Sequence, residues 1–440
     1  MKKVSIILLF TLFITQCSFD NKTGIWKNSN YEIADKADGR FKDFEMLYTK
    51  DKTFDAIISP KKNLLVKIEP IKKNMIWDDE FYNNTNNFSY QNNNEIIFKS
   101  KKLSRNKINK NFLFDKKNII LADSKGFIII YSIKEQKIIY KYNFYKKKFK
   151  KIKKKLNIIV EKNIIYVSDN MGYLYALDYV KQKIIWAHDY KIPFRSNIKI
   201  IDDKILLANQ NNLLFFVSKS NGKRFKKIPT EETILKSEFI NSLESKNSLF
   251  YFLNTYGSLY SLNTTRNSIN WFINLNQSTN LGANNLFYSN SLILHKNRII
   301  VSTDPYLYIL DQSNGAIILK KNITSIIKPI VSGQYLFLIT KDNLLVCINA
   351  STGKVLYSLK INQEIANFLE TKKKSIYINS LSLINNNLYV FLKNSYVVKF
   401  SVNGKIMDTV KFKSKISSSP IFIDNNILYF NKKNQLIILN

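Results

Sequence analysis

Cys17, Cys347, His188 and His295 are the only cysteines and histidines in this 440-residue chain. A zinc or redox-metal centre needs three or four such side chains brought together at short spacings. Here the cysteines stand near opposite ends of the sequence and the histidines are far apart. One distant cysteine pair cannot build a disulfide framework. Two histidines are too few for a metal cage or a proton relay. No catalytic residue, cofactor or metal ligand set is assigned, and the chain is not read as an enzyme.

Cys17 does suggest a chemistry. The chain opens "MKKVSIILLFTLFITQC", with Lys2 and Lys3 ahead of an apolar run from Val4 to Ile14. That run is too short to span a bilayer and has the length of a secretory h-region. It ends Ile14-Thr15-Gln16-Cys17, an aliphatic residue three places before a cysteine, similar to a bacterial lipobox. Gln16 stands where a small residue is usual. The expectation is a lipoprotein signal peptide over residues 1–16 and a lipid (palmitate-type) attachment at Cys17. An ordinary signal peptide with an incidental cysteine is the alternative. Cys347 alternates with Leu345 and reads as a small core residue on a strand.

The chain carries 68 Lys+Arg against 33 Asp+Glu, a formal net charge of +35. The charge is spread along the whole length and is mostly Lys, alongside heavy use of Asn and Ile. That distribution is drift toward Lys, Asn and Ile, and net charge bears on solubility rather than fold. Nucleic acid is not a partner of an exported chain. The run "YKKKFKKIKKKLN" from Tyr145 to Asn157 reads as a solvated loop, with anionic lipid headgroups as the functional alternative.

A repeat then organises the sequence. Its most regular strand reads "GFIIIYS" from Gly126, "GYLYALD" from Gly172, "NLLFFVS" from Asn212 and "GSLYSLN" from Gly257. It continues as "PYLYILD" from Pro305, "NLLVCIN" from Asn343, "SYVVKFS" from Ser395 and "NQLIILN" from Asn434. The starts advance by 46, 40, 45, 48, 38, 52 and 39 residues, a mean of 44. The first position is mostly Gly or Asn, as a turn with positive φ requires. A following turn carries Asn221-Gly222, Asn314-Gly315, Thr352-Gly353 or Asn403-Gly404, which are hairpin signals. The next strand carries a bulky residue: Tyr140, Trp186, Phe225, Trp271 or Tyr357. With the strand that precedes each copy, the unit has four strands. Four-stranded units at this period suggest an all-β, eight-bladed β-propeller over residues 95–440.

The eighth copy ends at Asn440 without its last strand. An unpaired edge there would be a liability. "EIIFKSKKL" (Glu95 to Leu103) matches the missing strand, with Phe98 in the place of Trp186, so it is expected to close the ring. Residues 17–94 read as a tether and irregular segment. "DAIISPKKNLLVKIEP" suggests short extra strands limited by Pro60 and Pro70, and "NNTNNFSYQNNN" a low-complexity loop.

The unit G-x-L-Y-A-L-D … K-x-x-W at Gly172 to Trp186 resembles the PQQ-like repeat of quinoprotein-like propellers. The lipobox, the tether, "NMIWDDEFYNNTNNFSYQNNN" and the eight units together resemble the propeller lipoproteins of the outer-membrane β-barrel assembly machinery. The resemblance covers Cys17 to Asn440. It implies a lipid-anchored scaffold on the periplasmic side of the cell outer membrane, monomeric as a propeller. It further implies a partner, the periplasmic POTRA domains of the barrel-forming subunit. By position in that family, "IPFRS" puts Ile192, Phe194 and Arg195 at the contact, and "KSEFINS" adds Glu238. Phe194 replaces a Leu, and Ile240 stands where a second carboxylate is usual. Two other readings use the same fold. One is a PQQ-dependent dehydrogenase, which usually shows an adjacent Cys–Cys pair, an Asp base and carboxylates on Ca²⁺. The other is a periplasmic sensor or carbohydrate-binding propeller.

Overall fold

The computed structural model describes residues 17–19, 26–28, 54–79, 87–145, 149–232, 240–276 and 287–440. The chain forms two compact units, Met1–Lys52 and Thr53–Asn440. In the first, Cys17–Phe19 pairs antiparallel with Trp26–Asn28. The signal-peptide residues 1–16 lie outside the described residues.

The second unit is the eight-bladed β-propeller that the repeat predicts. Blades 1 to 7 take consecutive strands over 113–143, 156–189, 199–228, 242–274, 293–321, 330–360 and 378–411. Blade 8 takes three strands from 421–439 and its fourth from Ile96–Lys102. The second and third strands are apolar nearly without interruption because neighbouring blades cover both their faces. Phe127–Ser132 and Asn118–Ala122, for example, are buried after their first residue. Fourth strands have one free edge and alternate, as in Lys183–Asp189.

Strand direction sorts the connections onto two faces. The links from fourth to first strands and the hairpins between second and third strands share one face, the loop face. The remaining turns share the opposite one, the turn face. At the second-to-third hairpins a side chain replaces a missing strand partner. Asp169 Oδ1 accepts from the amides of Met171 and Tyr173, both at 2.8 Å. Asp123, Asn209, Asn254 and Asn431 repeat this Asx turn. The next strand then starts at a residue with positive φ in every blade except the one with Pro305.

The blades are locked side by side. Trp186 of blade 2 lies over Gly222 of blade 3, where an added Cβ would come within 2.3 Å of the indole. Gly222 also holds φ +69, so both space and backbone select glycine there. Trp186 Nε1 donates to Lys219 O at 3.0 Å across the same seam. Trp271 over Gly315 and Tyr357 over Gly404 repeat the arrangement. Phe225, expected in this series, departs from it. Trp186 stands opposite Ala176, just before a bulge, and the corresponding pair in blade 3 is Phe216 with Lys226. Phe225 is displaced by one residue, which turns it to the outside, and it is 50% exposed.

The ring closes as expected. Gln435–Leu439 pairs antiparallel with Ile96–Lys102, Phe98 opposite Ile438. Leu103 N donates to Asn434 O at 3.0 Å, and Leu436 N donates to Ser100 Oγ at 2.8 Å. Phe98 then meets Tyr131 of blade 1 at a centroid distance of 6.4 Å.

The segment before that strand starts at the outside of the ring, and its later residues, 71–79 and 87–90, form a plug in the channel. Ile58 bridges to Ser358 on the outer strand of blade 6, Ile71–Lys72 pairs with Asn87–Phe88, and the latter extends blade 7 in parallel. Trp77 bridges to Phe114 of blade 1 and Asp79 to Ile159 of blade 2. The low-complexity reading of "NNTNNFSYQNNN" is therefore corrected for its middle, where Asn87, Phe88 and Tyr90 are buried; residues 83–86 lie outside the described residues. Asn87 Nδ2 donates to Asn386 Oδ1 at 2.7 Å and Tyr90 Oη to Asn440 O at 3.0 Å, so these polar residues satisfy turn-face groups. Lys199 Nζ contacts Asp79 at 2.7 Å and Glu244 at 2.8 Å inside the channel. Burial opposes the Lys199 charge, but Glu244 and Asp79 outweigh it and hold its pKa above the ordinary lysine value.

Deleting residues 95–103 exposes two sheet edges and the apolar faces beside them. The expected result is aggregation or a large fall in melting temperature, read by calorimetry and size exclusion. A monomer of unchanged stability would show that the closing strand is dispensable.

Candidate functional site

The loop face carries three of the residues singled out as partner-binding, Ile192, Phe194 and Arg195. "IPFRS" links blade 2 to blade 3 and is tied down along its length. A Cβ on Gly172 would lie 2.9 Å from the Ile192 backbone, so this glycine lets the loop cross the hairpin of blade 2. Phe194 N donates to Asp169 O at 3.0 Å and Arg195 N to Ala208 O at 3.0 Å. Asn241 N donates to Arg195 O at 2.7 Å, which joins the loop to the approach of blade 4.

Its side chains fall into two groups. Ile192 and Arg195 are partly exposed. Arg195 Nε is buried without a hydrogen-bond partner, and no ion pair or side-chain hydrogen bond holds the guanidinium among the described residues. Phe194 belongs elsewhere. It is 2% exposed and meets Tyr190 and Phe215 edge-on at 5.5 and 6.1 Å. The expectation that Phe194 itself offers a contact is corrected: it fills the seam between blades 2 and 3. Its bridge to Asn209 turns the ring inward. Glu238 lies outside the described residues; Ile240, beside it, is 51% exposed.

The lysine run reaches the same face between blades 1 and 2, and residues 146–148 lie outside the described residues. The run is not uniformly solvated. Lys154 is 2% exposed, donates to the carbonyls of Phe149 and Ile152, and sits 5.1 Å from the Tyr145 ring centre. Tyr145 Oη in turn donates to Asp169 at 2.6 Å. This lysine acts as a loop clamp, with burial drawing its pKa below the ordinary value.

The cysteine and histidines have structural surroundings. Cys347 is fully buried opposite Tyr357, and burial pushes its thiol pKa up. His188 Nε2 donates to Asn221 O and His295 Nε2 to Gly333 O, both at 2.8 Å and both across a seam. Among the described residues no three His, Cys, Asp or Glu side chains form a group suited to a metal ion.

Sequence reasoning missed the channel, because its residues come from every blade and from the plug. Trp77 gave the best signal, an isolated aromatic before two carboxylates.

Eight four-stranded blades built on a PQQ-like repeat define a propeller of the outer-membrane assembly class. The family model described as outer membrane protein assembly factor BamB matches residues 99–321, just over half of the chain, and the chain belongs to that family. The sequence matches none of the curated proteins with which it was compared. Among solved structures, BamB from Moraxella catarrhalis is similar, with a TM-score of 0.61 at 13% identity over 79% of this chain and 99% of that one. The computationally designed Ika8 protein gives 0.58 at 11% identity, over 78% and 99% of the two chains. The C-terminal WD40 domain of Sif2 gives 0.52 at 9% identity, over 85% and 99%. At these identities the structural likenesses speak to the fold.

The two groups of side chains predict opposite outcomes for neighbouring substitutions. Phe194→Ala should cost about 3–5 kcal/mol of stability, the usual range for a buried aromatic. Arg195→Ala should stay within about 0.5 kcal/mol. Urea unfolding of both variants checks this, and equal effects would contradict the burial assignment.

Proposed function

We propose that this chain is a non-catalytic scaffold lipoprotein of the outer-membrane β-barrel assembly complex. It is held by lipid on Cys17 to the periplasmic side of the outer membrane. Its loop face docks on the POTRA domains of the barrel-forming subunit. Membership of the assembly-factor family sets the class. The observation that carries the docking surface is Arg195: a guanidinium without a partner among the described residues, on a backbone fixed by three blades. A rigid scaffold presenting a loop residue is the common form of a binding site, and Arg is enriched among interface hot spots.

In this reading Ile192 supplies apolar contact and Arg195 meets a carboxylate or a backbone carbonyl of the partner. Phe194 sets the height of the loop from beneath. Glu238, on the next connection, takes a basic residue of the partner. POTRA domains expose sheet edges, so strand pairing beside these side chains would add backbone hydrogen bonds.

Capture by a cognate POTRA fragment tests the surface. Arg195→Glu should weaken binding by about 2 kcal/mol or more, the hot-spot scale, with an unchanged melting temperature. Undiminished capture by Ile192→Ala/Arg195→Glu would put the interface on another face.

Membrane attachment is tested separately. Cys17→Ala should move the protein from the membrane fraction to the soluble fraction. Equal fractionation of both forms would remove the lipid from the reading.

A further inference from the structure

The plug does not fill the channel. A cavity of about 280 Å³ remains between it, the connections that enter blades 1, 5, 6 and 8, and the start of the first strand of blade 7. Those connections all belong to the loop face, so the cavity lies at that end of the channel, with the plug behind it. Its inner wall is aromatic: Phe88 stacks on Phe422 at 4.7 Å, and Trp77 lies 5.7 Å from Phe88. The other side is cationic. Lys328 lines it half-buried, and Lys110 stands exposed at the rim.

Two groups in this lining lack partners. Lys328 makes no hydrogen bond or ion pair among the described residues. Ser380 Oγ is buried and also has no hydrogen-bond partner. The carboxylates nearest in charge to Lys328, Glu244 and Asp79, already hold Lys199 at 2.8 and 2.7 Å. Burial without a partner draws the Lys328 pKa below the ordinary lysine value, against the attraction of Glu244. A half-buried cation without a bound anion is costly. A carboxylate would satisfy both the ammonium and the hydroxyl.

We propose that this well binds a small organic anion, a carboxylate with a short apolar tail. The carboxylate meets Lys328, with Lys110 at the entrance, and the tail lies against Trp77, Phe88 and Phe422. The volume stands just below the range of about 300–1,000 Å³ usual for ligand pockets, which limits the ligand to a compact one. The site is independent of the docking surface around Arg195.

Calorimetric titration of the purified full chain tests this, with hexanoate, hexanamide and inorganic phosphate as probes. Hexanoate should bind saturably with one site, and hexanamide and phosphate should each be weaker by about tenfold or more, some 1.4 kcal/mol. Lys328→Met should lower hexanoate affinity by a similar factor. The comparison of the three probes uses the unmodified protein and stands even where a variant folds poorly. Equal binding of hexanamide would show that charge is not read, and equal binding of phosphate that the aromatic wall is not used. Either result overturns the proposal. So does the absence of saturable hexanoate binding, or full affinity in a folded Lys110→Met/Lys328→Met variant.

Discussion

The ring depends on one pairing, between the C-terminal strand Gln435–Leu439 and Ile96–Lys102. Every other blade is made from consecutive strands and forms through local hairpins. Blade 8 alone takes one of its own four strands from the far end of the propeller sequence, joining residues more than three hundred positions apart, as Leu436 N to Ser100 Oγ does. Until that contact is made, an open arc presents two unpaired edges and two apolar blade faces to water. The loop-closure entropy of the long link grows only slowly with length. A single four-stranded sheet therefore suffices to convert a row of blades into a closed body. Asn434 reinforces the clasp from a turn, its Nδ2 donating to Ser104 O and Asn106 O at 3.0 and 2.7 Å.

Closure also explains how much could be read from the sequence. Elements that repeat were legible, because the same requirement is met eight times. The strand that starts each "G-x-L-Y-A-L-D" copy, the positive-φ residue before it and the Trp–Gly seam all follow from packing one blade on the next. The truncated eighth copy even made the missing strand findable. Phe225 shows the limit. Residue type placed it with Trp186, but the position 14 residues into the copy, where Trp186 follows Gly172, is Lys226 after Asn212, and Phe225 takes the place of Ile185.

The plug and the loop face were harder to read for a different reason. Residues 54–94 belong to no repeat, and their partners are scattered over seven of the eight blades. Asn87 pairs with Asn386 and Tyr90 with the carbonyl of Asn440, so asparagines that look like low complexity serve as turn-face partners. At "IPFRS" the resemblance gave one role to side chains that the structure separates into a buried Phe194 and a partly exposed Ile192 and Arg195. An aromatic beside an arginine suits an interface and suits a seam equally well. Only the strand-like bridge from Phe194 to Asn209 decides that the ring points inward. The arginine, one residue on, then has to face out.

The excess of positive charge acquires a physical role at the turn face. With 68 basic and 33 acidic residues, most lysines cannot have a carboxylate partner. Several instead reach across a seam to a backbone or amide oxygen of the next blade. Lys116 Nζ donates to Asn163 Oδ1 at 2.7 Å, Lys204 Nζ to Thr264 O at 2.8 Å and Arg298 to Ala350 O at 2.7 Å. Lys226 and Lys246 make the same reach to Asn267 O and Lys296 O. Lys226 occupies the register position that Trp186 and Trp271 fill in other blades, and its ammonium donates across the seam as the Trp186 indole N–H does. Turn carbonyls are abundant in a propeller and are left over once the ladders are complete. A charged donor strengthens such a bond relative to a neutral one, and the long aliphatic stem covers apolar surface between blades. Drift toward lysine is thereby tolerated at the turn face, where it ties neighbouring blades together without acidic partners.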